Sequence, residues 1–191
     1  MRTCALLLGL CAACATTVRD YSMDREPDPA QALVAGFTEF ETVHVHQQGT
    51  GSEFNLRPSN REFLVSLPPG TYVLAAFDRY EPTDDRVTFN ARAGEAIYIG
   101  SFLKRKDADG NIKVVVADTM RDVESALVKR YGVKVPELTR EVARSSVAPT
   151  DGDFAIKVHR DRTRVNWVFG FSWGHHYGHH GHGHHGGRHH R

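Results

Sequence analysis

Between Ala32 and Asp118 the chain breaks into short apolar runs bounded by turn residues. ALVAGFT (32–38), ETVHVHQ (41–47), EFLVSL (62–67), TYVLAAFD (71–78), RVTFNA (86–91), EAIYIGSF (95–102) and NIKVVVAD (111–118) are dominated by β-branched and aromatic residues and predict strands. The weaker SEFNL (52–56) predicts an eighth. Several runs alternate with a period of two. Phe63, Val65 and Leu67 share one face, as do Ile112, Val114 and Val116.

The punctuation between runs has a physical basis. Pro69-Gly70 suits a type II turn, which predicts a hairpin of 62–67 with 71–78. Asp109-Gly110 suits a type I′ turn between 95–102 and 111–118. Gln48-Gly49-Thr50-Gly51 reads as a loop between 41–47 and 52–56. Strands this short, with turns this frequent, predict a seven- to eight-stranded antiparallel β-sandwich over 32–118.

A helical period follows. Met120, Val123, Leu127 and Tyr131 form one stripe, with Gly132 at the C-terminal stop. Thr119 with Asp122 approximates a capping box, with Asp118 as an alternative cap. Pro136 opens a second short helix running to about Ala143, so 119–144 is expected to be a helical addition to the sandwich. Ser145 to Asp153 reads as a linker. FAIKVH (154–159) and RVNWVFGFSW (164–173) then predict a C-terminal β-hairpin over 154–173, turning at Arg160 to Thr163. Val165, Trp167, Phe169, Phe171 and Trp173 align on one face, expected to pack on the core; the alternative is contact with a membrane interface or a partner.

The stretch LPPGTYVL (67–74), with GEAIYIGSF (94–102) after it, resembles bacterial envelope β-sandwich domains of the transthyretin-like or carboxypeptidase-regulatory-like type. The resemblance covers roughly residues 30–118. It implies an architecture and brings no catalytic residues with it.

The N-terminus changes the setting. Arg2 precedes an apolar stretch from Ala5 to Ala13 that is too short for the roughly 20 residues of a spanning helix. With the small residues that follow, residues 1–15 read as a secretory signal. Ala12-Ala13-Cys14 resembles a bacterial lipobox, although Cys11 stands where that pattern usually has leucine. The resemblance implies lipidation at Cys14 and a membrane anchor that does not span the bilayer. With Ala15 next, it implies an outer-membrane lipoprotein facing the periplasm or the surface. Cleavage after Ala15 is the alternative. Residues 16–31, polar and carrying Pro27 and Pro29, are expected to form a tether. All three cysteines lie in the first fourteen residues, so no disulfide framework is available downstream.

Composition excludes more than it assigns. Hydrophobic residues at 40% and charged residues at 25% fit a globular chain. A net charge of +1 argues against a nucleic-acid partner. No phosphate-binding loop, dinucleotide fingerprint or nucleophile elbow is present, so no enzyme is expected.

The last eighteen residues, 174–191, form a His/Gly-rich tail expected to be disordered. It holds nine of the twelve histidines: His175, His176, His179, His180, His182, His184, His185, His189 and His190. Neutral imidazole is a common ligand for Ni, Zn and Cu, and the glycines let several rings converge. The tail has no Asp or Glu to orient those rings, which predicts several weak, exchangeable sites and no required cofactor. The competing reading is a solvated extension that becomes cationic and adhesive when its histidines protonate.

Elsewhere, His44 and His46 share a strand face and need a third ligand, for which His159 is the candidate; a solvent-facing strand side is the preferred reading. Asp107, Asp109 and Asn111 depart from a calcium loop, since glycine falls at position four and not six. The function expected is an envelope binding protein whose tail binds or buffers transition metals. The alternative is a non-catalytic structural or interaction module that docks an envelope protein partner.

Overall fold

The computed structural model describes residues 15–20, 26–83, 86–132, 135–146 and 152–160. Among them are β1 (Thr16–Arg19), β2 (Ala32–Thr38), β3 (Val43–Gln47), β4 (Glu53–Arg57), β5 (Glu62–Leu67), β6 (Gly70–Phe77) and β7 (Tyr80–Pro82). Then come β8 (Val87–Ala91), β9 (Ala96–Lys106), β10 (Ile112–Ala117), helix α1 (Met120–Tyr131), β11 (Thr139–Arg140), β12 (Arg144–Ser145) and β13 (Phe154–Arg160). Each of the eight runs expected between 32 and 118 is a strand.

Their assembly differs from a simple antiparallel sandwich. The thirteen strands form one mixed sheet, ordered β1-β4-β3-β6-β7-β13-β10-β9-β2-β5 along its main path. Pairs β1–β4, β2–β9 and β9–β11 are parallel. The sheet folds over until β1 returns to the neighbourhood of β5, so it nearly closes into a barrel. Gly36 allows the tight approach of β2 and β9. A Cβ on Gly36 would meet the Phe63 ring at 2.5 Å and the Gly100 carbonyl at 2.8 Å, and the pairing shifts register there. The bulge comes where bulges belong, at a glycine with a backbone pressed against it.

Two cores result. Inside the folded sheet lie Phe63, Tyr72, Phe77, Phe89 and Phe102, all essentially inaccessible to solvent. Tyr72 stacks on Phe89 with ring centroids 5.2 Å apart. Outside it, α1 lays Val123 and Leu127 on Leu33, Ala35, Leu64 and Tyr98. β2 is therefore buried on both faces, which explains why ALVAGFT is a continuous apolar run. The predicted helical stripe and its stop are as expected: Gly132 has φ 76° and donates to the Val128 carbonyl.

Four expectations need correction. LPPGTYVL does not form a hairpin. β5 pairs with β2 and β6 with β3, so Pro69-Gly70 carries the chain across from one side of the fold to the other. The Tyr72 hydroxyl donates to the Pro68 carbonyl at 2.6 Å and closes that corner. The β9–β10 link spans residues 107–111 and is not a two-residue type I′ turn. Asp107 organises it, its carboxylate accepting from the amides of Asp109 at 3.1 Å and Asn111 at 2.8 Å. Thr119 makes no side-chain cap; its hydroxyl is 2.6 Å from that of Ser101 instead. Residues 136–143 are not a helix.

The last correction has a clear cause. β10 stops opposite Ser101, leaving one edge of β9 bare from Ile97 to Ile99. The 136–143 segment fills it: Glu141 donates to the Tyr98 carbonyl at 2.9 Å and Ala143 to Ile99 at 2.8 Å. Tertiary pairing overrides helical propensity. β12 then crosses to pair with β8, so β11 and β12 form a strap between the two halves of the sheet.

Within the stretch expected to be a tether, Thr16–Arg19 is paired in register with Phe54–Arg57. The partner expected for β13 in a hairpin, 164–173, lies outside the described residues. β13 pairs with β10 through 154–157 and with β7 through 158–160. One edge of each half of β13 is thus already taken by another strand.

Candidate functional site

Cys14, Trp167, Trp173 and the nine tail histidines, 175 to 190, lie outside the described residues. The described histidines are His44, His46 and His159. β3 alternates as its sequence requires, with Val43 and Val45 in the core and His44 and His46 on the outer side. His44 Nδ1 is 2.5 Å from Asn55 Oδ1 on β4. The asparagine oxygen can only accept, so Nδ1 carries the proton of that bond. His46 stands opposite Glu53.

His159 Nε2 is 3.7 Å from Glu81 Oε2 on the neighbouring strand β7. Sheet order separates β3 from β13 by β6 and β7. Three strand spacings amount to about 14 Å, beyond the reach of a shared ion. The third ligand considered for His44 and His46 is therefore not supplied by His159. Among the described residues no three His, Cys, Asp or Glu side chains come together to hold a metal.

Displaced acidities occur at Tyr72, Asp78 and Asp107, in three separate places. Burial pushes the Tyr72 hydroxyl up to about 12. Burial also raises the Asp78 carboxyl, against the pull of the Thr42 amide. That amide donates to Asp78 Oδ1 at 2.8 Å while the Asp78 amide donates to the Thr42 carbonyl at 2.8 Å. For Asp107, desolvation works upward, but the Asn111 amide and side chain and the Lys113 ammonium outweigh it and hold the carboxyl below its usual value. Each group satisfies local structure and none is bonded to another, so they form no acid–base pair of the kind catalysis uses.

One surface cleft, about 490 Å³, lies between the 107–111 loop and Lys157, and the Asp107 oxygens there are committed to the loop. A second, about 400 Å³, is walled by Pro27, Pro29, Leu33 and Pro136. No protein-family model, curated protein or solved structure matches the chain.

Sequence reading missed a polar cluster at the end of β1. Asp20 accepts from the Ser59 amide at 2.9 Å and from the Ser59 hydroxyl, and pairs with Arg130 of α1 at 3.5 Å. Arg130 also donates to the Glu62 carbonyl at 3.0 Å. A second cross-link joins Asp118 to Arg140 at 2.7 Å. These partners are 22 to 110 positions apart, and no local pattern announces such pairs.

Proposed function

We propose that the chain is a lipid-anchored protein of the bacterial envelope. Its folded sheet is a non-catalytic carrier for the histidine-rich segment, which collects divalent late transition metals such as Ni, Zn or Cu. The observation that carries this reading is the distribution of histidine. Nine of twelve lie between Trp173 and Arg191, with glycine and no carboxylate among them. The histidines of the sheet domain are engaged with Asn55 and Glu81, or stand opposite Glu53 in register, and form no cluster of ligands. The capacity for metal thus resides in residues 175–190. Binding there is weak per site and multiple, because each ion must order the segment that holds it.

Calorimetry with Ni²⁺ and Zn²⁺, on protein purified without nickel resin, tests the reading. The chain through Arg191 should bind more than one ion, and a chain ending at Trp173 should bind none. Binding should fail as pH drops below about 6.5 and the imidazoles protonate. Equal, negligible heats for the two chains would end the metal assignment and leave the envelope interaction module as the standing alternative.

A further inference from the structure

The strands give the fold two poles. At one pole lie Thr16 beside Phe54, the 48–52 loop, the 68–70 corner, and the starts of β2 and β9. Gln47 Nε2 donates to the Pro69 carbonyl at 2.8 Å, and the Gln48 amide to the Thr71 carbonyl at 2.8 Å, so loop and corner form one surface. At the other pole lie the end of β9, the 107–111 loop and Arg160, the last described residue of β13. Eleven residues of β9 connect the poles, a span of roughly 30 Å at the rise of a strand.

We infer that the first pole is the face the protein turns to a lipid bilayer, and that the second is the face it turns away from it. Because Cys14 is the acylated residue under the function proposed above, only Ala15 separates the anchor from β1. Two residues span at most about 7 Å. β1 cannot lengthen that link without unpairing from β4, and Asp20 fastens its far end to Ser59 and Arg130. The 48–52 loop and the 68–70 corner are therefore drawn to the headgroups. They read Gln48-Gly49-Thr50-Gly51-Ser52 and Pro68-Pro69-Gly70, without a charged side chain. The loop and the corner can press on a polar interface without stranding a charge, while Glu53, Asp28 and Arg92 of the same pole are exposed and stay in water.

Arg160, separated from Gly174 by thirteen residues, lies at the opposite pole.

The test uses the full chain, lipidated in cells and reconstituted into phosphatidylethanolamine/phosphatidylglycerol vesicles. Gln48→Cys and Ala108→Cys each supply one free thiol for a fluorescent label, since Cys4 and Cys11 leave with the signal and Cys14 is acylated. Headgroup spin-labelled lipid should quench most of the emission at 48 and little at 108. Equal quenching, or the reverse order, on vesicles that carry the protein overturns the orientation alone. Failure of the protein to float with the vesicles, or flotation undiminished in Cys14→Ser, overturns the anchor and the orientation with it.

Discussion

The buried hydroxyl of Tyr98 on β9 accepts the amide of Thr119, the residue just before α1, at 2.9 Å. It also donates to the Ala117 carbonyl at 3.2 Å, so one side chain fixes where β10 ends and the helix begins. Thr119 caps nothing with its own side chain, and Tyr98 supplies part of what the cap would have given.

Tyr98→Phe keeps the ring and leaves the Thr119 amide without that partner. A buried donor left unsatisfied costs about 1–3 kcal/mol, and the part-buried Thr119 amide belongs at the lower end. Urea unfolding should show a loss in this range, with near-wild-type strand content by circular dichroism. A loss below a few tenths would mean water replaces the hydroxyl at no cost.

Gly36→Ala should be more harmful than an average glycine substitution. The new methyl would lie 2.8 Å from a backbone oxygen of β9, which cannot rotate away as a side-chain end can. Overpacking of this kind costs about 1–3 kcal/mol. Gly49→Ala meets nothing within 4 Å and carries only the strain of φ 83°, so it serves as the control. Thermal midpoints of the two variants separate packing from backbone strain.

Asp78 gives a pH signature. An unfolded aspartate titrates near 3.9. Burial lifts the folded value above that, so the native chain holds this proton more tightly than the unfolded one. Its contribution to stability is full below the unfolded value and is lost as pH rises through the folded value. Asp78→Asn removes that loss and keeps an oxygen for the Thr42 amide. Asparagine also tolerates the φ of 52° found there. The variant should be more stable than wild type at pH 7, with the difference closing toward pH 3.5 in urea titrations. A less stable variant at pH 7 would show that the hydrogen bonds of the Thr42 and Glu41 amides to the carboxylate, with Lys104 behind them, outweigh its burial.

Arg130→Met should loosen β1 before it loosens anything else. The guanidinium holds Asp20 and the Glu62 carbonyl, while methionine keeps the aliphatic bulk on the helix. Amide hydrogen exchange should accelerate through Thr16–Arg19, with the amides of β9 and β10 unchanged. Uniform acceleration would mean that β1 unfolds only with the whole domain.

The eight strands read between 32 and 118 were legible because each is set by its own residues. Phe63, Val65 and Leu67 alternate whatever they pair with. Pairing was not legible, since Pro69-Gly70 suits a tight turn and a crossing equally, and only the partner of β5 decides between them. The 136–143 segment was misread for the same reason: Pro136 and Glu137 favour a helix start, but the bare edge of β9 is invisible in one dimension. The candidate site divides likewise. The tail histidines declare themselves by composition, whereas Asp20, Ser59 and Arg130 meet only in three dimensions.

The joints of the sheet have a consequence for biogenesis. β13 bonds one half to the other at β7 and β10, and the β11–β12 strap joins them again at β9 and β8. Both seams are stitched by residues 139–160, the last of the described chain to be synthesised. Until they emerge, Ile156 and Val158 are missing from the interior and, among the described residues, no hydrogen-bonded ladder holds the halves together. A chain threaded through a translocation pore amino-end first would therefore keep these halves apart until β13 had cleared the membrane.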